Sequence, residues 1–100
     1  MRIIYNTSYI INDTIEQEWL SFMKEDYLPL LRNYRLCNDI IFSKVSIDQP
    51  EGKTYSLQMV FESPEQQQYF LHHCLAELEE KVIRNFTGQY VCFSSLLTEI

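Results

Sequence analysis

Polar and apolar residues alternate from about Arg2 to Ile11. Ile3, Tyr5, Tyr9 and Ile11 fall on one side, with Asn6 and Ser8 opposite, the period-two signature of a strand. Asn12-Asp13 breaks the run, and Asp13 followed by Glu16 matches a helix capping box. A helix of roughly 20 residues is expected next. At 100° per residue, Ile15, Trp19, Phe22, Met23, Leu30 and Tyr34 form one apolar arc, with Leu20, Tyr27 and Leu31 at its edge and Asp26 within it. Pro29 has no N–H to give and crowds the carbonyl four residues back, so the helix should kink or break there.

Asp39 to Ile47, rich in Ile, Val and Ser, reads as a second strand, and Asp48-Gln49-Pro50-Glu51-Gly52 as a turn. Lys53 to Phe61 alternates again, with Tyr55, Leu57, Met59 and Phe61 against Thr54, Ser56 and Gln58. A second helix opens at Ser63-Pro64, with Ser as N-cap and Gln66 in the capping-box position. Its apolar arc holds Phe70, Leu71, Cys74, Leu75, Leu78 and Val82, and Gly88 stands where a left-handed C-terminal residue is wanted. Tyr90 to Leu97 is the last strand, and pattern alone leaves its inward face open.

The order β-α-β-β-α-β predicts an α+β, ferredoxin-like domain spanning residues 1–100. Two helices should cover one face of a four-stranded antiparallel sheet and leave the other bare. On this register the bare face carries Ile4, Asn6, Ser8 and Ile10 from strand one, and Thr54, Ser56, Gln58 and Val60 from strand three. If the last strand follows suit, Tyr90, Cys92, Ser94 and Leu96 join them. Such a surface is too apolar for water and too polar for a dry core. A second copy packed face to face at about 10 Å would bury it, making a homodimeric α/β barrel.

Composition narrows the partners. The formal charge is −6, with 14 acidic and 8 basic residues, and the basic residues never cluster. Arg32/Arg35 and Lys81/Arg84 fall at expected helix C-termini, where the macrodipole favours cations. Nucleic acid is therefore not an expected partner. No apolar run approaches the roughly 18–20 residues of a membrane span, and the N-terminal stretch lacks a signal-peptide core. Cys37, Cys74 and Cys92 are odd in number and widely spaced, which implies free thiols and the cytoplasm, with no zinc site.

The strand order and half-polar sheet face resemble the dimeric α/β-barrel superfamily, which includes antibiotic-biosynthesis-type and haem-degrading monooxygenases and stress-response barrels. More closely, the stretch IIYNTSYIINDTIEQEWLSFMKEDYLPLL resembles a family of short bacterial proteins known only as a domain of unknown function. That family shows a strand-one IYN, then W-x-x-x-M and a His or similar residue just before a Pro on helix one. Here Ile4-Tyr5-Asn6, Trp19, Met23 and Tyr27 ahead of Pro29 occupy those places, and Tyr27 stands where His is expected. The resemblance spans essentially the whole chain.

Candidate chemistry is sparse. His72 and His73 are adjacent on helix two, point about 100° apart and cannot share one metal; they read as solvated histidines. The superfamily resemblance would give Asn6 and one of these histidines haem-site roles, but the single Trp sits on helix one. Asn6, Ser8, Ser56, Gln58, Tyr90 and Cys92 could line a ligand cavity or form a polar ladder within the dimer interface. Asp26 and Tyr27 form a second candidate site, since a carboxylate desolvated on an apolar arc could act as a base; a helix distorted at Pro29 would instead release Asp26 to water. No P-loop, nucleophile triad or paired-carboxylate motif occurs. The expected protein is thus a homodimeric small-ligand-binding or interaction module, with no metal, no cofactor and no nameable catalytic residue. The alternative is a cofactor-independent monooxygenase-like or haem-degrading enzyme. A structural subunit is a third reading, on the strength of outward Tyr69 and Ile83.

Overall fold

Strands β1 (Ile3–Ile11), β2 (Asp39–Lys44), β3 (Lys53–Phe61) and β4 (Tyr90–Thr98) form one antiparallel sheet in the order β2-β3-β1-β4. The structure is a computed structural model that describes residues 1–46 and 52–100. The predicted turn therefore lies outside the described residues, apart from Gly52. That glycine has φ +143°, and a Cβ there would sit 2.2 Å from the Ile11 carbonyl oxygen, so only glycine lets β3 start so close to the end of β1.

The alternation in β1 and β3 is realised as expected. Ile3, Tyr9, Ile11, Tyr55, Leu57, Met59 and Phe61 are buried beneath the helices. Ile4, Asn6, Ser8, Ile10, Thr54, Ser56 and Gln58 lie half-buried on the opposite face.

The last strand, whose inward face the pattern left open, turns Tyr90 and Cys92 to the helix side and not to the bare face where they were candidates. Its register sets Tyr90 opposite Ile11, Cys92 opposite Tyr9 and Ser94 opposite Thr7. Directly opposed residues share a face, so Tyr90, Cys92, Ser94 and Leu96 lie on the helix side. Val91, Phe93, Ser95 and Leu97 take the bare face instead. The cause is pairing: β4 is apolar on both sides, and only its register with β1 decides which side is which.

The helical layer has three helices instead of two. One 3-10 turn (Asp13–Ile15) leads into α1, residues 16–33, in which Glu16–Phe22 and Leu28–Asn33 are α-helical and Met23–Tyr27 is a π-helix. The Leu28 N–H reaches back to the Met23 carbonyl, five residues away. Pro29 supplies the reason, since it has no N–H for the Glu25 carbonyl and the ladder widens just before it. The expected second helix is divided into α2 (Pro64–His73) and α3 (Leu75–Phe86) by Cys74, at φ −123°.

Both interruptions serve one pattern. The buried residues of α1 and its entry turn are Ile15, Trp19, Met23, Tyr27 and Leu31 (with Leu28), and those of α2–α3 include Phe70, Cys74, Leu78, Val82 and Phe86. Each series steps by four residues. In a regular α-helix a four-residue step overshoots a full turn by about 40°, so four steps would carry the stripe well off the core. The wide turn in α1 and the break at Cys74 reset that drift.

The caps differ from one another. Ser63 accepts from the Gln66 N–H at 3.3 Å, as expected for an N-cap. The Asp13–Glu16 box does not form, because the Glu16 carboxylate turns to the sheet: Tyr55 Oη donates to it at 2.7 Å and Lys44 Nζ lies at 3.0 Å. The Tyr55 hydrogen bond, then Lys44, hold the Glu16 carboxyl below its ordinary pKa of 4.5. A carboxylate depressed in the folded state stabilises the fold above its unfolded pKa, and that contribution is lost as pH falls through the folded value. The urea midpoint should therefore drop between neutral pH and about pH 3.5, and Glu16→Gln should show a smaller drop. Identical pH dependence in the two proteins would contradict this assignment.

Candidate functional site

The bare sheet face is organised in rows across the strands. Val60, Ile4 and Leu97 make one apolar row, and Ile10 with Val91 makes another at the far end. Between them run two more polar rows, Ile41–Gln58–Asn6–Ser95 and Ser43–Ser56–Ser8–Phe93. The Ser56 hydroxyl donates to Asn6 Oδ1 at 2.9 Å, joining the two rows on adjacent strands. Phe93 and Val91 are each 61% exposed, and Leu97 and Ile41 are 43% exposed. Of the residues expected to line a cavity, Asn6, Ser8, Ser56 and Gln58 are on this face; Tyr90 and Cys92 are on the other.

Tyr90 and Cys92 meet a different group. Between α3 and the β1–β4 pair lies a recess of about 40 Å³. Its floor is Tyr5, Thr7 and Tyr9 of β1 and Ser94 of β4; Tyr27 of α1 closes one side, and Leu75, Glu79, Val82 and Ile83 of α3 form the roof. Helix spacing explains that roof, because positions 75, 79, 82 and 83 fall on one face. Tyr27 reaches the recess through the π-helix, which turns it into the core at 2% exposure. The same turn puts Asp26 outside, at 3.1 Å from Lys81 Nζ, so Asp26 is not the desolvated base its helical-wheel position suggested.

The recess is lined with hydroxyl groups. Thr7 Oγ1 and Ser94 Oγ are hydrogen-bonded at 2.9 Å, and the Tyr9 and Tyr27 phenols lie in the same lining. The Thr7–Ser94 pair holds two protons and four lone pairs and uses one of each, so it keeps a donor and acceptor sites to offer. Burial, above all, raises the pKa of Tyr9 and Tyr27, keeping both as neutral phenols. Burial and then Glu79 raise the Cys92 thiol, which therefore remains a thiol at neutral pH. A second opening, a cleft of about 390 Å³ toward the end of α3, shares Ile83, Tyr90 and Cys92 with the recess.

His72 and His73 lie exposed at the end of α2, away from this lining, with the His73 ring 4.4 Å from Tyr69. Among the described residues no three His, Cys, Asp or Glu side chains gather to hold a metal ion. No helix among them is long and apolar enough to cross a membrane.

Thr7 and Glu79 are absent from the residues singled out in the sequence, and Ser94 was named only as a bare-face position. Two signals pointed to Thr7 and Glu79. Thr7 is the one small side chain in an otherwise large inward series, Ile3, Tyr5, Tyr9 and Ile11. Glu79 is the one charge in the apolar stripe Leu75, Val82 and Ile83.

The profile of the family "Domain of unknown function (DUF4286)" matches residues 2–100. No curated protein matches the chain. Solved structures share the fold at low identity. An ethyl tert-butyl ether (EthD) family protein from Bacillus halodurans superposes with a TM-score of 0.72 at 14% identity, covering 98% of this chain and 99% of its own. A dimeric ferredoxin-like protein from an uncultured marine organism gives 0.73 at 10% identity, covering 99% and 97%. A protein from Bordetella bronchiseptica named for antibiotic biosynthesis monooxygenase gives 0.69 at 13%, also covering 99% and 97%.

Proposed function

The chain belongs to the DUF4286 family, and from that premise we propose that residues 1–100 form one domain that pairs with a second copy and holds a small polar ligand under α3. One observation carries the binding reading: Thr7, Ser94, Tyr9 and Tyr27 meet in a recess under α3, and the Thr7–Ser94 pair keeps both a donor and lone pairs unspent. Ligand sites are typically concave and mostly apolar, with a few converging polar groups that fix orientation. The recess itself has room for a head group of a few atoms, and the adjoining cleft would take the remainder.

Pairing is supported by the bare face. Nine-residue strands about 4.8 Å apart present roughly 500 Å² in projection, and more once side-chain relief is included. That approaches the ~800 Å² per partner of a standard interface. Two such sheets packed face to face would form the α/β barrel, and a structural neighbour is described as a dimeric ferredoxin-like protein. Free thiols at three cysteines support a reducing, cytoplasmic setting.

Binding is proposed in preference to oxidation. The monooxygenase reading rests on the name of a neighbour at 13% identity, a level at which likeness extends to fold alone. The proposal is tested by amide chemical-shift mapping with phenethyl alcohol as a neutral probe. Shifts should concentrate at residues 90–94 and Thr7, and Ser94→Leu, which fills the recess, should weaken binding about tenfold or more. Shifts spread over the surface, or undiminished binding in Ser94→Leu with its fold intact by circular dichroism, would refute a ligand site here.

A further inference from the structure

Hydroxyl groups donate and accept equally well, so the floor of the recess does not select the charge of its ligand. Glu79 does. It is the one charged side chain in the lining, and no Lys, Arg or His stands beside it there. Its field reaches Tyr9, Tyr27, Tyr90 and Cys92, which surround the recess from three elements. Lys81, two residues along α3, is held at 3.1 Å by Asp26 and is absent from the lining.

The neighbouring cleft adds the second requirement. Thr87, Gly88 and Val91 join Ile83, Tyr90 and Cys92 around it, an open depression of mixed polar and apolar lining with no charged side chain. Ile83 is 52% exposed at the junction, an apolar side chain without a described partner surface of its own. A net charge of −6 further concentrates cations and repels anions around the molecule.

Resting on the ligand-site reading above, we propose that the site takes a small organic cation: an amine whose head group meets Glu79 and the recess hydroxyls, with a short apolar tail along Ile83 and Tyr90. A carboxylate or phosphate of the same shape would face Glu79 with no compensating cation and is excluded. The ammonium can donate to the Glu79 carboxylate and to hydroxyl lone pairs together, a charge-assisted arrangement stronger than a neutral one.

Three probes with one tail separate the possibilities: phenethylamine, phenethyl alcohol and 3-phenylpropionate, titrated into the full chain at neutral pH with amide shifts as the readout. The amine should bind about tenfold more tightly than the alcohol, with 3-phenylpropionate weakest of the three. Glu79→Gln should bring the amine down to the level of the alcohol; Glu79 is exposed on a helix, and Gln keeps helix propensity. Equal binding of all three, or an amine preference that survives Glu79→Gln, overturns the charge selection while leaving a ligand recess in place. Failure of all three to shift residues 90–94 overturns both readings.

Discussion

Replacing Trp19 with alanine is expected to cost about 3–5 kcal/mol, the range for deleting a fully buried large aromatic. Trp19 is 0% exposed, and its ring centroid lies 4.9 Å from Tyr55, 5.5 Å from Tyr9 and 5.7 Å from Phe42. It joins α1 to three strands at once, so the cavity opens where helix layer and sheet meet. A domain of this size has only about 5–15 kcal/mol to lose, so the variant should unfold at a much lower urea concentration. Trp19→Phe should be milder, about 1–2 kcal/mol, because the Trp19 Nε1 is buried without a hydrogen-bond partner among the described residues and Phe removes that orphan donor. A loss below about 1 kcal/mol in Trp19→Ala would mean that the packing around α1 is wrongly placed.

Phe93→Glu is expected to separate two copies without unfolding either. Phe93 is 61% exposed in the single chain, beside Ser8 on the bare face, so its loss should barely change the urea midpoint of the monomer. In a two-fold interface the substitution occurs twice and leaves two carboxylates in a desolvated contact. Unpaired buried charges cost several kcal/mol, so the dimer should weaken by about a hundredfold or more. Sedimentation velocity on the variant and on Tyr69→Glu, an exposed aromatic on α2, makes the comparison specific. If Phe93→Glu associates as the parent does, the bare face is not the interface.

Most of the architecture was legible because β1 and β3 alternate over nine residues and one face of each is buried. A one-residue slip would have exposed Leu57 and Met59, so their register is strongly specified. The extent of β4 was legible but its faces were not, for the opposite physical reason. Val91, Phe93 and Leu97 on one face are balanced by Tyr90, Cys92 and Leu96 on the other, and eight of its nine residues are exposed. Burial therefore imposes no period on it, and its pairing with β1 sets its faces.

The first helix was legible in extent but not in phase. Pro29 signalled a disturbance, yet a 100° wheel cannot anticipate that the response is a π-helix five residues long. That turn exchanges the roles of two neighbours, sending Tyr27 into the recess and Asp26 to Lys81. The recess depends on both the face of β4 that the pattern left open and the phase of α1. With β4 turned over and the helix rewound, Tyr27, Tyr90 and Cys92 come together, whereas Asn6, Ser8, Ser56 and Gln58 remain across the sheet.

The mass of the unmodified chain in solution tests the pairing most directly. Multi-angle light scattering at micromolar concentration should return twice the 12.0 kDa of one chain, with Phe93→Glu shifting it toward the single-chain value. A mass of 12.0 kDa for the unmodified protein across that range would contradict the proposed dimer and leave the bare face unexplained.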